Sequence, residues 1–160
     1  MANFLTVRRA AKIDALAVDS LLSEWFEWKP DSGRLASIHR AITNREVLLA
    51  EVNSLVIGFI HNVIHEDIID GGLNSFITAF YVSPAHRGKG IGTLLLNESI
   101  ADSLAMGAVG VETSTIHTLA KKLYERHHFK QTMGDMGEIF LELDIPEYLR
   151  SKVKGNISKD

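Results

Sequence analysis

Apolar and polar residues alternate over Phe4 to Arg8, FLTVR, which predicts a short first strand. The period then lengthens. Across KIDALAVDSLLSEWFEW, residues 12–28, Ile13, Leu16, Ala17, Leu21, Trp25 and Trp28 recur at helical spacing, so a helix is expected with those six on its inward face. Pro30, Asp31, Ser32 and Gly33 break it, and Arg34 to Ile42 reads as a second short helix begun after a serine cap candidate. Two β-rich runs follow, EVLLAEV and LVIGFIHNVIH, with Asn53 and Ser54 between them as a hairpin turn. After the turn region EDIIDGGLN, Ser75 to Val82 completes three successive strands, expected as an antiparallel meander.

Pro84 has no amide hydrogen for a ladder and stops that strand. Ile91, Leu94, Leu95, Leu96, Ile100 and Leu104 then mark a long helix ending at Gly107. AVGVETS gives another strand, HTLAKKLYERHH another helix, and FKQT with EIFLELDI a last β pair around the turn Met133 to Gly137. The order β-α-α-β-β-β-α-β-α-β-β is mixed α/β (α+β), with a mainly antiparallel central sheet flanked by helices. One domain over residues 1–145 is expected, followed by a polar tail over 146–160 that opens as a short helix and then frays.

Composition narrows the chemistry. The 160 residues include no cysteine, which excludes a disulfide, a thiolate nucleophile and a cysteine metal site. No run approaches the roughly 18 apolar residues of a spanning helix, and the first residues lack a basic stretch before an apolar one, so a cytoplasmic location without membrane partners is expected. Seventeen basic against twenty acidic residues, a formal charge of −3, argue against nucleic-acid binding. His61 and His65 share one face of a strand without a third ligand, so no metal site is expected.

The segment RGKGIG stands where a strand gives way to a helix. A helix N-terminus carries unpaired amides and about half a positive charge, and glycines let a phosphate approach them. The amides of residues 88–93 are thus a candidate diphosphate cradle, with Arg87 and Lys89 adding charge. Spacing excludes two common forms. A Walker loop places its lysine after the last glycine, and a dinucleotide fingerprint from Gly88 or Gly90 fails at Thr93 and Leu95.

The stretch VSPAHRGKGIGTLLL resembles motif A of the GNAT acyl-CoA N-acetyltransferases, whose core R/Q-x-x-G-x-G/A is met here by Arg87, Gly90 and Gly92. His117 to Phe129, HTLAKKLYERHHF, is similar to the family's motif B, and VRRAAKIDALAVDSLL is similar to its opening strand and helix. The resemblance implies acetyl-CoA as co-substrate and an amine as acceptor. It implies coenzyme contacts from Phe80 and Val82 along the strand, from Arg87, Gly88, Lys89, Gly90, Ile91, Gly92 and Thr93 at the diphosphate, and from His117, Ala120 and Tyr124. His117 replaces an asparagine common in the family and can donate as asparagine does. His128 replaces a glycine before Phe129 and bears on how the helix ends.

An amine of pKa about 10.4 is neutral in only about one molecule in a few thousand at pH 7, so a proton acceptor must assist. The resemblance implies Tyr124 as the acid toward the leaving sulfur, and the amide of Val82 is the expected oxyanion donor. Glu112 is the expected base, since Phe76, Thr78 and Ala79 replace the strand carboxylate of many relatives. Simpler roles stand beside these: Tyr124 as a packed aromatic, Glu112 as a solvated sheet residue. Glu24, Trp25 and Trp28 are candidates for holding a cationic acceptor by charge and ring-face attraction, or for a solvated acidic face with core tryptophans. The alternative to the enzyme is a non-catalytic acyl-CoA sensor. A homodimer is a further expectation from the resemblance.

Overall fold

In the computed structural model, which describes residues 4–69, 71–132 and 139–149, strand β1 (Leu5–Arg9) pairs antiparallel with β2 (Val47–Val52). Strand β2 turns back as β3 (Leu55–Glu66). Asn53 and Ser54 hold φ of 49° and 66°, the left-handed pair that a tight two-residue hairpin demands. The turn thus falls where the pattern places it. Strand β4 (Leu73–Val82) starts two residues before the expected Ser75, and Asp67 N–H donates to Gly72 O at 2.9 Å to close the preceding loop.

Among the described residues, seven strands follow the order β1-β2-β3-β4-β5-β7-β6. Strand β5 (Ala108–Thr115) runs parallel to β4 and antiparallel to β7 (Ile139–Asp144), which also pairs antiparallel with β6 (Lys130–Gln131). Among the described residues, four helices lie between the strands of the mixed α/β fold: α1 (Ala15–Phe26), α2 (Ser32–Thr43), α3 (Ile91–Ala105) and α4 (Thr118–Arg126). The chain divides into two compact units, residues 1–62 with 78–99 and residues 63–77 with 100–160.

In the first unit, Ala15, Val18 and Leu21 of α1 and Ile38 and Ile42 of α2 pack on Val47, Leu49, Phe59 and Tyr81. Of the six residues expected at helical spacing, Leu21 and Trp25 face this core. Residues 12–14 form a 3-10 turn and α1 begins at Ala15, so the inward stripe runs through Ala15, Val18, Leu21, Leu22 and Trp25. Ile13 and Leu16 are 88% and 69% exposed, and Trp28 lies beyond the helix end at Glu27. The cap of α2 is Asp31 rather than Ser32: its Oδ1 accepts from the Arg34 amide at 2.8 Å, and Ser32 is already helical. Arg34 then ties α2 to α1, its Nε on Asp19 and its Nη2 on Ser23 Oγ. Gly58 is required by close approach, since a Cβ there would stand 2.8 Å from Tyr81 O.

In the second unit, Val111, Phe129, Leu141, Leu143 and Ile145 are buried. Leu104, the last residue of the apolar run that marks α3, is exposed. Gly107 ends α3 in left-handed backbone at φ 90° as expected. A helix occupies residues 145–149, where Asp144 Oδ1 accepts the Glu147 amide at 2.6 Å. The expected turn at 133–137 and the frayed end beyond residue 149 lie outside the described residues.

Candidate functional site

The cradle belongs to the first unit. Gly88 and Gly90 hold φ of 73° and 79°, and a Cβ on either would meet nothing within 4 Å. Their requirement is therefore backbone conformation, with open space above it. Gly90 O accepts the first helical bond of α3, from Leu94 N at 3.0 Å. The amides of Ile91, Gly92 and Thr93 precede that bond and have no acceptor within the helix. The Ile91 side chain is buried, so only its backbone can face a ligand. Lys89 Nζ donates to Ala85 O at 3.1 Å, and Arg87 Nε to Val82 O at 2.8 Å, so both cations fold back on the loop.

Strand β4 leads into this loop. Ser83 N–H donates to Ile57 O at 2.9 Å, and Tyr81 O faces Gly58, so these groups point toward β3. Because backbone polar groups alternate along a strand, those of Phe80 and Val82 point away from β3. The two residues named for the coenzyme arm thus share one edge. Arg87 holds the Val82 carbonyl on that edge.

Glu24, Trp25 and Trp28 also lie in this unit. Trp25 stacks on Tyr81 and on Phe26 at ring separations of 5.2 and 4.5 Å, and Phe26 stacks on Trp28 at 4.3 Å. The Arg87 guanidinium covers Tyr81, and that of Arg34 covers Trp28. Every ring already has a stacked neighbour and the end rings already carry a cation, which corrects the expectation of ring faces for an acceptor. Charge attraction remains. Glu24 Oε1 accepts from Ser83 Oγ at 3.0 Å, and among the described residues no cation pairs with it.

The second unit holds Tyr124, 3% exposed, with its ring 5.2 Å from Phe129 and its hydroxyl 3.5 Å from Thr113 Oγ1. Burial pushes the phenol up to about 12, and the Thr113 hydrogen bond opposes that only in part. Thr113 points toward Tyr124, so its neighbour Glu112 points to the other face of β5. There Asn74 Nδ2 donates to Glu112 at 3.2 Å and to Asp67 at 3.0 Å. Glu112, the expected base, and Tyr124 thus lie on opposite faces of β5. His117 is the exposed N-cap of α4, its amide on Thr115 Oγ1 at 3.0 Å, and Ala120 lies on the same helix. His128 takes φ 68°, the conformation its glycine-like position demands.

A family model for the acetyltransferase (GNAT) domain matches residues 43–131, more than half of the chain. The chain belongs to the GNAT acetyltransferase family. The match takes in the cradle, both β4 edge residues and all of α4. Solved GNAT structures share the fold. An N-acetyltransferase from Staphylococcus aureus Mu50 is 22% identical with a TM-score of 0.72, over 88% of this chain and 98% of that one. Arabidopsis thaliana Naa50, solved with the bisubstrate analogue CoA-Ac-MVNAL, is 18% identical at 0.69, over 88% and 98%. The aminoglycoside N-acetyltransferase AAC(6')-Iy, solved with CoA, is 18% identical at 0.76, over 85% and 94%. No curated protein matches the sequence.

Motif spacing in this GNAT domain does not single out Tyr81 or Ser83, because each acts through residues distant in sequence. Only the β alternation, which sets Tyr81 inward, carries a signal for either. A cavity of about 370 Å³ in the second unit is lined by Glu125 and His128 of motif B and by residues outside the motifs such as Lys130 and Tyr148. Among the described residues, no group of three or more His, Cys, Asp or Glu could hold a metal ion.

Proposed function

We propose that this GNAT domain transfers an acetyl group from acetyl-CoA directly to a primary amine of a small molecule or a peptide. The observation that carries the coenzyme assignment is the opening of α3, where two left-handed glycines in open space precede three amides without helical acceptors. The diphosphate sits on the amides of residues 88–93, and Arg87 and Lys89 turn from their carbonyls to its charge. The pantetheine arm runs along the Phe80 and Val82 edge as an added strand, with His117 and Ala120 as further contacts. The Val82 amide, which points away from β3, receives the oxyanion.

Tyr124 acts on the departing sulfur. With the phenol at about 12 and a free thiol near 8.5, full proton transfer is uphill by roughly 5 kcal/mol. Tyr124 therefore stays protonated and donates a hydrogen bond to the thiolate. Glu24, without a cationic partner of its own, draws in the ammonium form of the acceptor that predominates at neutral pH, and the exposed edges of Phe26 and Trp28 offer apolar contact. The domain spans residues 1–145 with 146–160 as a tail, works in the cytoplasm and pairs as a homodimer.

The lack of a carboxylate at Phe76, Thr78 and Ala79 favours a second reading, an acyl-CoA sensor without transfer. Release of free thiol from acetyl-CoA, measured across polyamines, aminoglycosides, amino acids and peptides, separates the two. Turnover with one amine class is expected. Tight CoA binding with no turnover on the whole panel supports the sensor instead.

A further inference from the structure

Strand β4 carries no base of its own, yet it carries a hydroxyl at the end of a hydrogen-bonded chain. Thr78 Oγ1 lies 2.6 Å from His61 Nδ1, and His61 Nε2 lies 3.1 Å from Glu46 Oε2. Asn44 Nδ2 donates to the other Glu46 oxygen at 3.2 Å. The three residues come from different elements, Glu46 from the turn before β2, His61 from β3 and Thr78 from β4. All belong to the first unit. Exposure rises along the chain: the Glu46 and His61 side chains are 21% and 27% exposed, and Thr78 is open to solvent.

The donor set fixes the direction of the chain. An ionised carboxylate only accepts, so His61 Nε2 carries the ring hydrogen and donates it to Glu46. Nδ1 is then the ring acceptor, and the Thr78 hydroxyl donates to it, with His61 O at 3.4 Å as a second contact of the same oxygen. The lone pairs of Thr78 Oγ1 remain for an incoming N–H. Among the described residues, Glu46 is the one ionisable group within ion-pair distance of His61. Thr78 stands two residues before Phe80, about 7 Å along a strand.

We propose that Thr78, His61 and Glu46 form the relay that removes the proton of the acceptor amine, an assignment that rests on the acetyl-transfer reading above. The ammonium first loses one proton to water, and as the neutral amine nitrogen bonds to the thioester carbonyl carbon and the C–S bond breaks, the electron pair leaves on sulfur. The N–H proton passes to Thr78 Oγ1 while the proton of Thr78 passes to His61 Nδ1. One N–H and one O–H bond break, and one O–H and one N–H bond form. The resulting imidazolium lies against the Glu46 carboxylate and later loses its proton to water. Thr78 touches the amine and His61 takes the proton, whereas Glu46 is a positioning residue that holds the tautomer.

Two measurements on the full chain test this. Long-range proton–nitrogen correlation spectra of the histidine rings, assigned with His61→Gln, should show His61 protonated at Nε2; protonation at Nδ1 overturns the relay. With the amine that turns over fastest, His61→Gln and Thr78→Val should each lower kcat about 10²-fold with KM within threefold. His61→Gln should also flatten the acidic limb of the pH–rate profile, Glu46→Gln should shift it, and Thr78→Ser should restore activity where Thr78→Val loses it. Variants that keep the wild-type kcat and acidic limb overturn the relay alone. A wild type that releases no thiol with any amine overturns the acetyl-transfer reading, and the relay's role with it.

Discussion

Gly88 and Gly90 stand in open space with left-handed backbone, whereas Tyr124 stands buried against Thr113 and Phe129 with its proton held by burial. The first region works through what its residues lack, a Cβ and a helical acceptor, and the second through one side chain whose surroundings set its acidity. A ligand can meet the cradle without any rearrangement of packing. The phenol instead owes its behaviour to its neighbours. Binding and chemistry should therefore fail separately when each region is altered.

The largest effect is expected from Gly90→Asp, which brings a carboxylate to the phosphate site and forces an L residue to φ 79°. Calorimetry should show coenzyme affinity lost by more than about 100-fold, the cost of roughly 3 kcal/mol. Gly90→Ala, which adds the strain without the charge, should lose less; equal losses would make backbone strain the whole cause.

The buried phenol gives the next effect, on stability. Because its folded pKa is raised, its contribution is full below the unfolded value near 10 and is lost as pH rises toward about 12. The two-unit offset corresponds to about 3 kcal/mol. Urea unfolding across that window should fall by that much more for wild type than for Tyr124→Phe. Parallel curves would show that Tyr124 titrates as an exposed tyrosine.

The cradle was legible in the sequence because glycine spacing and a following apolar helix are local, and backbone conformation follows from them directly. Tyr124 was legible as a position in motif B, yet its raised pKa was not, because the burial that raises it comes only with the fold. The phase of the α1 stripe depends on where the helix starts, and the 3-10 turn at 12–14 shifts that start to Ala15. The order of elements points to Glu112, whereas strand alternation sets it on the face of β5 opposite Tyr124. The relay at Thr78 had no sequence signal at all, its members lying 15 and 17 residues apart along the chain.

A smaller effect should come from Asp14, whose carboxyl is held below its usual range chiefly by the hydrogen bond from Arg8. The depressed pKa means that this stabilisation is present above about pH 4 and fades as pH falls through the folded value. Asp14→Asn should cost about 1 kcal/mol at neutral pH by urea unfolding, with the gap closing in acid. A gap that stays constant in acid would assign the loss to packing. The smallest effect is His128→Gly, which relieves left-handed backbone in the turn after α4 and removes the ring contact with Tyr148. A gain below about 1 kcal/mol, read as a Tm rise of roughly 2–4 °C, is expected; a fall would show that the contact outweighs the strain.

The most direct test measures Tyr124→Phe beside wild type, with kcat from thiol release and coenzyme affinity from calorimetry. The account predicts a kcat about 10²-fold lower with affinity within threefold, because the cradle binds and the phenol acts on the sulfur. Unchanged kcat, or an affinity that falls as far as kcat, would contradict it.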